Sequence, residues 1–272
     1  MEGTVQRHRV NGLDVSVMVA GQGPDVLLLH GFPDSRTVWR RQIPALVAAG
    51  YRVIAPDTRG CGQTSMPGDV ADYRMEHLVA DAVGLLDALD CGPVRLVGHD
   101  WGAIIGWQLC LRHPGRIDRF AALSVGHPAA YASAGLAQKL KGHYIFLLQL
   151  PGVAEYLVTC RDWFLFRLLT RFPGEFARWK AALSRPGRLT AGANYYRANF
   201  GLLLRPRSWP VLTVPVMGLW SDGDRFLVES QMVDSRRFLA GPWRYERISG
   251  ASHWLQLDAP DTVNALLLDF FR

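Results

Sequence analysis

The chain has 272 residues, of which 49% are hydrophobic and 20% charged, and this balance excludes an intrinsically disordered protein. The net charge of +6 comes from scattered arginines without a basic block, which argues against a nucleic-acid partner. No apolar run reaches the length of a membrane span, so we also expect no membrane partner.

The predicted elements alternate between short apolar runs and longer segments of helical period, which is typical of a mostly parallel sheet covered by helices. We predict strands at Asp25–His30, Tyr51–Pro56, Pro93–Gly98, Arg119–Val125, Val214–Trp220 and Trp243–Ile248. We predict helices at Thr37–Ala49, Met75–Asp90, Trp101–Arg112, Val228–Leu239 and Pro260–Phe271.

The alternation stops between residues 126 and 211, where the apolar spacing is helical and no good strand pattern occurs. Such a segment is too long for a simple loop. We therefore predict a helical cap at 127–211 over the carboxyl edge of the sheet. The core domain would comprise 1–126 and 212–272.

The four cysteines follow no zinc-site or disulfide spacing, and the polar N-terminus lacks the apolar core of a signal peptide. We expect a cytoplasmic protein with reduced thiols, no metal and no cofactor.

The stretch "VRLVGHDWGA" reads as a strand, a sharp turn and a helix, with Asp100 at the turn. Small residues two positions on either side, Gly98 and Gly102, are what a nucleophile elbow requires. The pattern also suits an ordinary turn in which Asp100 caps the next helix. Other parts of the chain favour the nucleophile.

The segment "HGFPDS" follows a predicted strand, and its turn would place the N–H of Phe32 in an oxyanion hole with that of Trp101. Downstream, "SDGD" follows another predicted strand and "SHW" carries His253. The order nucleophile, acid, histidine predicts a triad of Asp100, Asp224 and His253. Asp222 remains the alternative acid.

The motifs "HGFPDS", "PDTRGCGQTS", "GHDWGA" and "SHW" together resemble the epoxide hydrolase and haloalkane dehalogenase branch of the α/β-hydrolase fold. The resemblance covers nearly the whole chain. It implies an aspartate nucleophile and a cap inserted after the sixth strand of the sheet.

The cap motifs "HYIFLLQLPGVAE" and "NYYRANF" resemble the two tyrosine segments of epoxide hydrolases. The resemblance implies that Tyr144 and Tyr196 are catalytic acids, and that both bind substrate together with Phe32 and Trp101. The implied reaction converts a small apolar epoxide and water to a vicinal diol.

Two other functions stay open at this point. A haloalkane or haloacid dehalogenase would use the same triad, but Phe32 occupies the position where many such enzymes hold halide with an asparagine. A ligand-binding protein on an inactive fold would not need a complete triad.

Overall fold

The computed structural model describes residues 3–204 and 209–272, and its centre is an eight-stranded sheet. The strands are β1 (Thr4–Val10), β2 (Leu13–Ala20), β3 (Asp25–Leu29), β4 (Arg52–Pro56), β5 (Val94–His99), β6 (Ile117–Leu123), β7 (Val216–Ser221) and β8 (Trp243–Ile248). Their order is β1-β2-β4-β3-β5-β6-β7-β8. Along this order, every pair from β4 to β8 is parallel. β2 is antiparallel to both of its neighbours, β1 and β4.

The sequence analysis missed the hairpin of β1 and β2. Val10 pairs with Leu13 across a two-residue turn, Asn11 and Gly12, and both turn residues have positive φ, 48° and 80°. Asn-Gly is the preferred sequence for such a turn, because both positions need left-handed backbone. The dipeptide was therefore a readable signal of this hairpin.

Helices cover both faces of the sheet and form the cap. They are α1 (Gln42–Ala48), α2 (Met75–Ala88), α3 (Trp101–Arg112), α4 (Pro128–Ser133), α5 (Gly135–Lys141), α6 (Tyr144–Leu148), α7 (Val153–Thr170), α8 (Pro173–Leu183), α9 (Arg188–Ala198), α10 (Phe200–Leu204), α11 (Glu229–Val233), α12 (Leu255–Asp258) and α13 (Pro260–Phe270). In the described part of the chain, no helix is both long and apolar enough to cross a bilayer.

Two predicted helices are shorter than expected. The first divides into a 3₁₀ turn at Arg36–Trp39 and α1, because Pro44 lacks an N–H and is tolerated only in the first turn of a helix. The predicted helix Val228–Leu239 divides into α11 and a 3₁₀ turn at Asp234–Phe238. The other three predicted helices are confirmed to within two residues.

The six predicted strands all form. β7 begins two residues later than predicted, and Pro215, which has no N–H for the ladder, directly precedes it. β6 begins two residues early and ends before Ser124, whose φ of 69° turns the chain out of the sheet. These shifts leave the predicted parallel arrangement unchanged.

The cap inserted after the sixth strand is confirmed, since α4 to α10 all lie between β6 and β7. Residues 205–208 of the predicted cap and residues 1–2 of the predicted core lie outside the described residues. Inside α7 the helix is interrupted at Cys160–Trp163, where three consecutive residues have positive φ. The domain boundaries themselves stay predictions.

The central strands are buried on both faces, as expected for a parallel sheet between two helical layers. Val26, Leu27 and Leu28 of β3 are fully buried and alternate between two apolar clusters, one on each side of the sheet. This packing places the carboxyl ends of β3 and β5 side by side beneath the cap.

Candidate active site

Asp100 lies on a strained turn between β5 and α3, with φ 53° and ψ −121°. The turn is crowded by backbone: a Cβ atom on Gly98 would lie 2.4 Å from the carbonyl oxygen of Gly102, and one on Gly102 would lie 1.9 Å from that of Leu29. Only glycine fits at these two positions. Backbone strain of this kind persists where the surroundings enforce it, and it is frequent at functional sites.

The Asp100 carboxylate is held by backbone and histidine. The Phe32 N–H donates to Oδ1 at 2.8 Å, and Oδ2 lies 3.6 Å from Nε2 of His253. Burial raises the pKa of Asp100, but His253, His99 and the backbone N–H of Trp101 together outweigh burial and lower it. The carboxylate is therefore ionised at neutral pH. Of the two predicted oxyanion donors, the Phe32 N–H forms a hydrogen bond with it, and the Trp101 N–H contributes to its lowered pKa.

His253 bonds to Asp224 and not to Asp222. Its Nδ1 lies 2.8 Å from Oδ2 of Asp224, while Oδ1 of Asp224 accepts the backbone N–H groups of Phe226 and Leu227. Asp222 instead accepts the N–H of Gly250 at the surface. Asp224 is the acid positioned to orient the imidazole.

The charge state of His253 follows from its two carboxylate neighbours. Burial lowers the pKa of His253, but the charges and hydrogen bonds of Asp224 and Asp100 outweigh burial and raise it to about 10. The imidazole is therefore protonated on both nitrogens, and positively charged, at neutral pH while Asp100 is ionised. Removing the charge of Asp100 would remove one cause of this raised pKa.

The two predicted cap tyrosines lie over the elbow. Tyr144 begins α6 and Tyr196 lies in α9, with ring centroids 6.0 Å apart, and Tyr196 packs edge-on against Trp101 at 5.0 Å. Burial is the main cause that raises the pKa of both hydroxyls well above the ordinary value. Both hydroxyls are therefore protonated and able to donate.

Tyr195 has a different position although it is adjacent in sequence. Its hydroxyl donates to the carbonyl oxygen of Arg59 at 2.7 Å. Because neighbouring residues on a helix point in different directions, Tyr195 packs against the core while Tyr196 reaches the cavity.

A cavity of about 650 Å³, including space open to solvent, joins these groups. Asp100, His253, Tyr144 and Tyr196 all line it. The remaining wall is mainly apolar and comes from both the core and the cap, including Phe32, Leu147, Val158, Phe166, Leu189 and Phe226. Such a cavity suits a small apolar ligand with one polar reacting group.

Comparison with known proteins agrees with this architecture. A family model described as the alpha/beta hydrolase fold matches residues 24–260. The chain belongs to the α/β-hydrolase family.

Among its relatives, this α/β-hydrolase is 33% identical to epoxide hydrolase 3 of Xenopus tropicalis, over 98% of this chain and 77% of that protein. It is 34% identical to AB hydrolase superfamily protein YfhM of Bacillus subtilis (strain 168), over 96% of each. The crystal structure of epoxide hydrolase VrEH1 from Vigna radiata superposes with a TM-score of 0.86 at 30% identity, covering 99% of this chain and 98% of that chain.

Sequence reasoning missed two aromatic residues of this α/β-hydrolase site. Phe226 lines the cavity and lies 5.1 Å from the His253 ring, and Trp254 packs against the same ring at 5.1 Å and 90°. Each follows a predicted triad residue by one or two positions, so proximity in sequence was the available signal.

The crowded elbow generates a stability prediction. Replacing Gly102 with alanine forces β3 and α3 apart, so we expect a loss of about 1–3 kcal/mol in the free energy of unfolding. The matched control is Gly174→Ala in α8, where a Cβ meets nothing within 4 Å. Thermal unfolding of both variants measures the difference, and equal midpoints would contradict the tight elbow.

Proposed function

We propose that the protein is an epoxide hydrolase, which opens an epoxide to a vicinal diol through an ester on Asp100. One observation carries this proposal: two protonated tyrosines of the cap share a cavity with an ionised aspartate on a nucleophile elbow. Relatives named epoxide hydrolases, similar over nearly the whole chain, support the same reaction.

The first step requires a nucleophile that attacks saturated carbon. Oδ1 of Asp100 is bonded to the Phe32 N–H, so Oδ2 is the oxygen free to attack. A new C–O ester bond forms and the ring C–O bond breaks. The ring oxygen takes a proton from Tyr144 or Tyr196, and positioned acids of this kind contribute roughly 10²–10⁴-fold in rate.

Alkylation then prepares His253 for its own step. The ester carries no charge, so Asp100 no longer helps to hold the proton on His253. That proton passes through water to the tyrosinate left by the first step. His253 becomes neutral only after the ester exists, and it can then act as a base.

The second step cleaves the ester at the carbonyl carbon of Asp100. His253 takes a proton from water, hydroxide attacks, and the negative charge develops on Oδ1, to which the Phe32 N–H already donates. The Trp101 N–H is the second donor of the proposed oxyanion hole. Collapse expels the diol oxygen, which takes the proton of the new carboxyl group. Asp100 is again a carboxylate, and His253 is again protonated between two carboxylates.

Replacing His253 with glutamine tests the order of steps. Without the base, the ester should form and persist, and steady-state turnover should fall by about 10²–10⁴-fold. Mass spectrometry of the Asp100 peptide after mixing with a styrene-type epoxide should show the mass of one substrate.

The control for this experiment is Asp100→Ala, which should show neither the added mass nor turnover. An unmodified Asp100 peptide in the glutamine variant, at substrate concentrations that saturate the wild-type enzyme, would contradict the covalent route.

The tyrosine pair separates epoxide opening from halide displacement. Tyr144→Phe combined with Tyr196→Phe should reduce epoxide turnover by at least about 10²-fold, because the ring oxygen loses both proton donors. Turnover is measured with aliphatic and styrene-type epoxides, beside chloro- and bromoalkanes.

Tyr156→Phe is the matched control, since this cap tyrosine is 69% exposed and should leave turnover unchanged. Haloalkane turnover in the wild type that persists in the double variant, with no epoxide turnover in either, would identify a dehalogenase instead.

A further inference from the structure

Asp34, in the segment "HGFPDS", joins the cap to the core through two indole groups. Its side chain is buried, with 7% exposure of the residue. Nε1 of Trp179 donates to Oδ1 at 2.7 Å, and Nε1 of Trp254 donates to Oδ2 at 2.9 Å. Trp179 belongs to cap helix α8, whereas Trp254 follows His253 directly.

The two indoles are the main support for the Asp34 charge. In the described part of the chain, Asp34 forms no salt bridge with a lysine or arginine. The pKa of Asp34 is raised to about 7, because burial outweighs the hydrogen bonds of Trp179 and Trp254, which lower it. Burying a carboxylate costs free energy unless hydrogen bonds compensate for the lost water. Each indole N–H therefore stabilises the ionised form of Asp34.

The arrangement leads directly to the catalytic histidine. Trp254 stands at 90° to the His253 ring, with centroids 5.1 Å apart. Trp179 also packs against Trp254, with ring centroids 4.6 Å apart. Asp34 therefore holds the indole against which His253 packs, and it holds the cap helix beside that indole.

We propose that Asp34 is a positioning residue, which ties cap helix α8 to the His253 loop and keeps the imidazole oriented for ester hydrolysis. Asp34 does not line the main cavity, so it acts through Trp254 and not on the substrate. The kinetic part of this inference rests on the proposed epoxide hydrolase activity.

The test uses Asp34→Asn, which keeps the size of the side chain but offers an N–H₂ group to one of the two indole N–H donors. We expect the single-turnover rate of ester hydrolysis to fall by about tenfold, because one buried donor loses its partner. The rate of ester formation should stay within about twofold, since His253 acts as a base only in the second step.

The control is Trp107→Phe, which also removes a buried indole hydrogen bond, to the carbonyl oxygen of Val125. It should lower stability without changing the ratio of the two rates. An Asp34→Asn variant that slows both steps equally, or neither, would overturn the positioning role.

A double-mutant cycle with Trp179→Phe tests the bond itself. The cycle uses Asp34→Ala, in which both indole N–H groups lose their acceptor. In this background Trp179→Phe removes a donor that is already unpaired, so the combined loss of hydrolysis rate should be smaller than the product of the two single losses. Independent, multiplicative effects would refute the link between Asp34 and Trp179.

A measurement without substrate separates this inference from the proposed reaction. In the wild-type protein, the indole N–H protons of Trp179 and Trp254 should exchange slowly with solvent in nuclear magnetic resonance spectra, and Asp34→Asn should speed at least one of them. Unchanged exchange of both would overturn the inference, whether or not the protein hydrolyses epoxides.

Discussion

The hydrogen bond from the backbone N–H of Phe32 to Oδ1 of Asp100 is the constraint on which the site depends. It connects the loop after β3 to the turn after β5, two strands that pair in parallel at the centre of the sheet. In the proposed reaction, the bond leaves Oδ2 as the oxygen that attacks carbon, and it places an amide where charge would develop during ester cleavage. Glycines at positions 98 and 102 provide the space that this geometry requires.

The charges around His253 change in the course of the proposed reaction. His253 lies between Asp100 and Asp224, and both raise its pKa. In the proposed reaction, alkylation neutralises only Asp100, so the imidazole loses one of its two anionic neighbours at the moment when a base is needed. The cap supplies proton donors, because burial keeps the hydroxyls of Tyr144 and Tyr196 protonated. The different surroundings thus suit the two tyrosines to act as acids and His253 to act as a base.

Much of this organisation could be predicted from the sequence. Periodicity indicates the six core strands because buried parallel strands are continuous apolar runs. Motif order led to Asp100 and His253, and the resemblance to epoxide hydrolases implied Tyr144 and Tyr196. The structure brings these four side chains together around one cavity. The spacing of two nearby acids could not decide between Asp222 and Asp224, since the choice depends on how the loop after β7 turns.

The link formed by Asp34 was beyond the reach of sequence reasoning. Its partners, Trp179 and Trp254, lie 145 and 220 residues away, and nothing in local pattern pairs an aspartate with two indoles. Such contacts appear only when the cap and core are assembled. They show how a cap helix that does not contact the reacting atoms is joined to the histidine loop.

The central claim, that Asp100 bonds covalently to substrate carbon, is tested most directly by a single turnover with excess enzyme in heavy-oxygen water. The account predicts that the diol contains no heavy oxygen and that the Asp100 side chain gains it, because water attacks the carboxyl carbon. Heavy oxygen in the diol of the first turnover, with none in Asp100, would contradict the account.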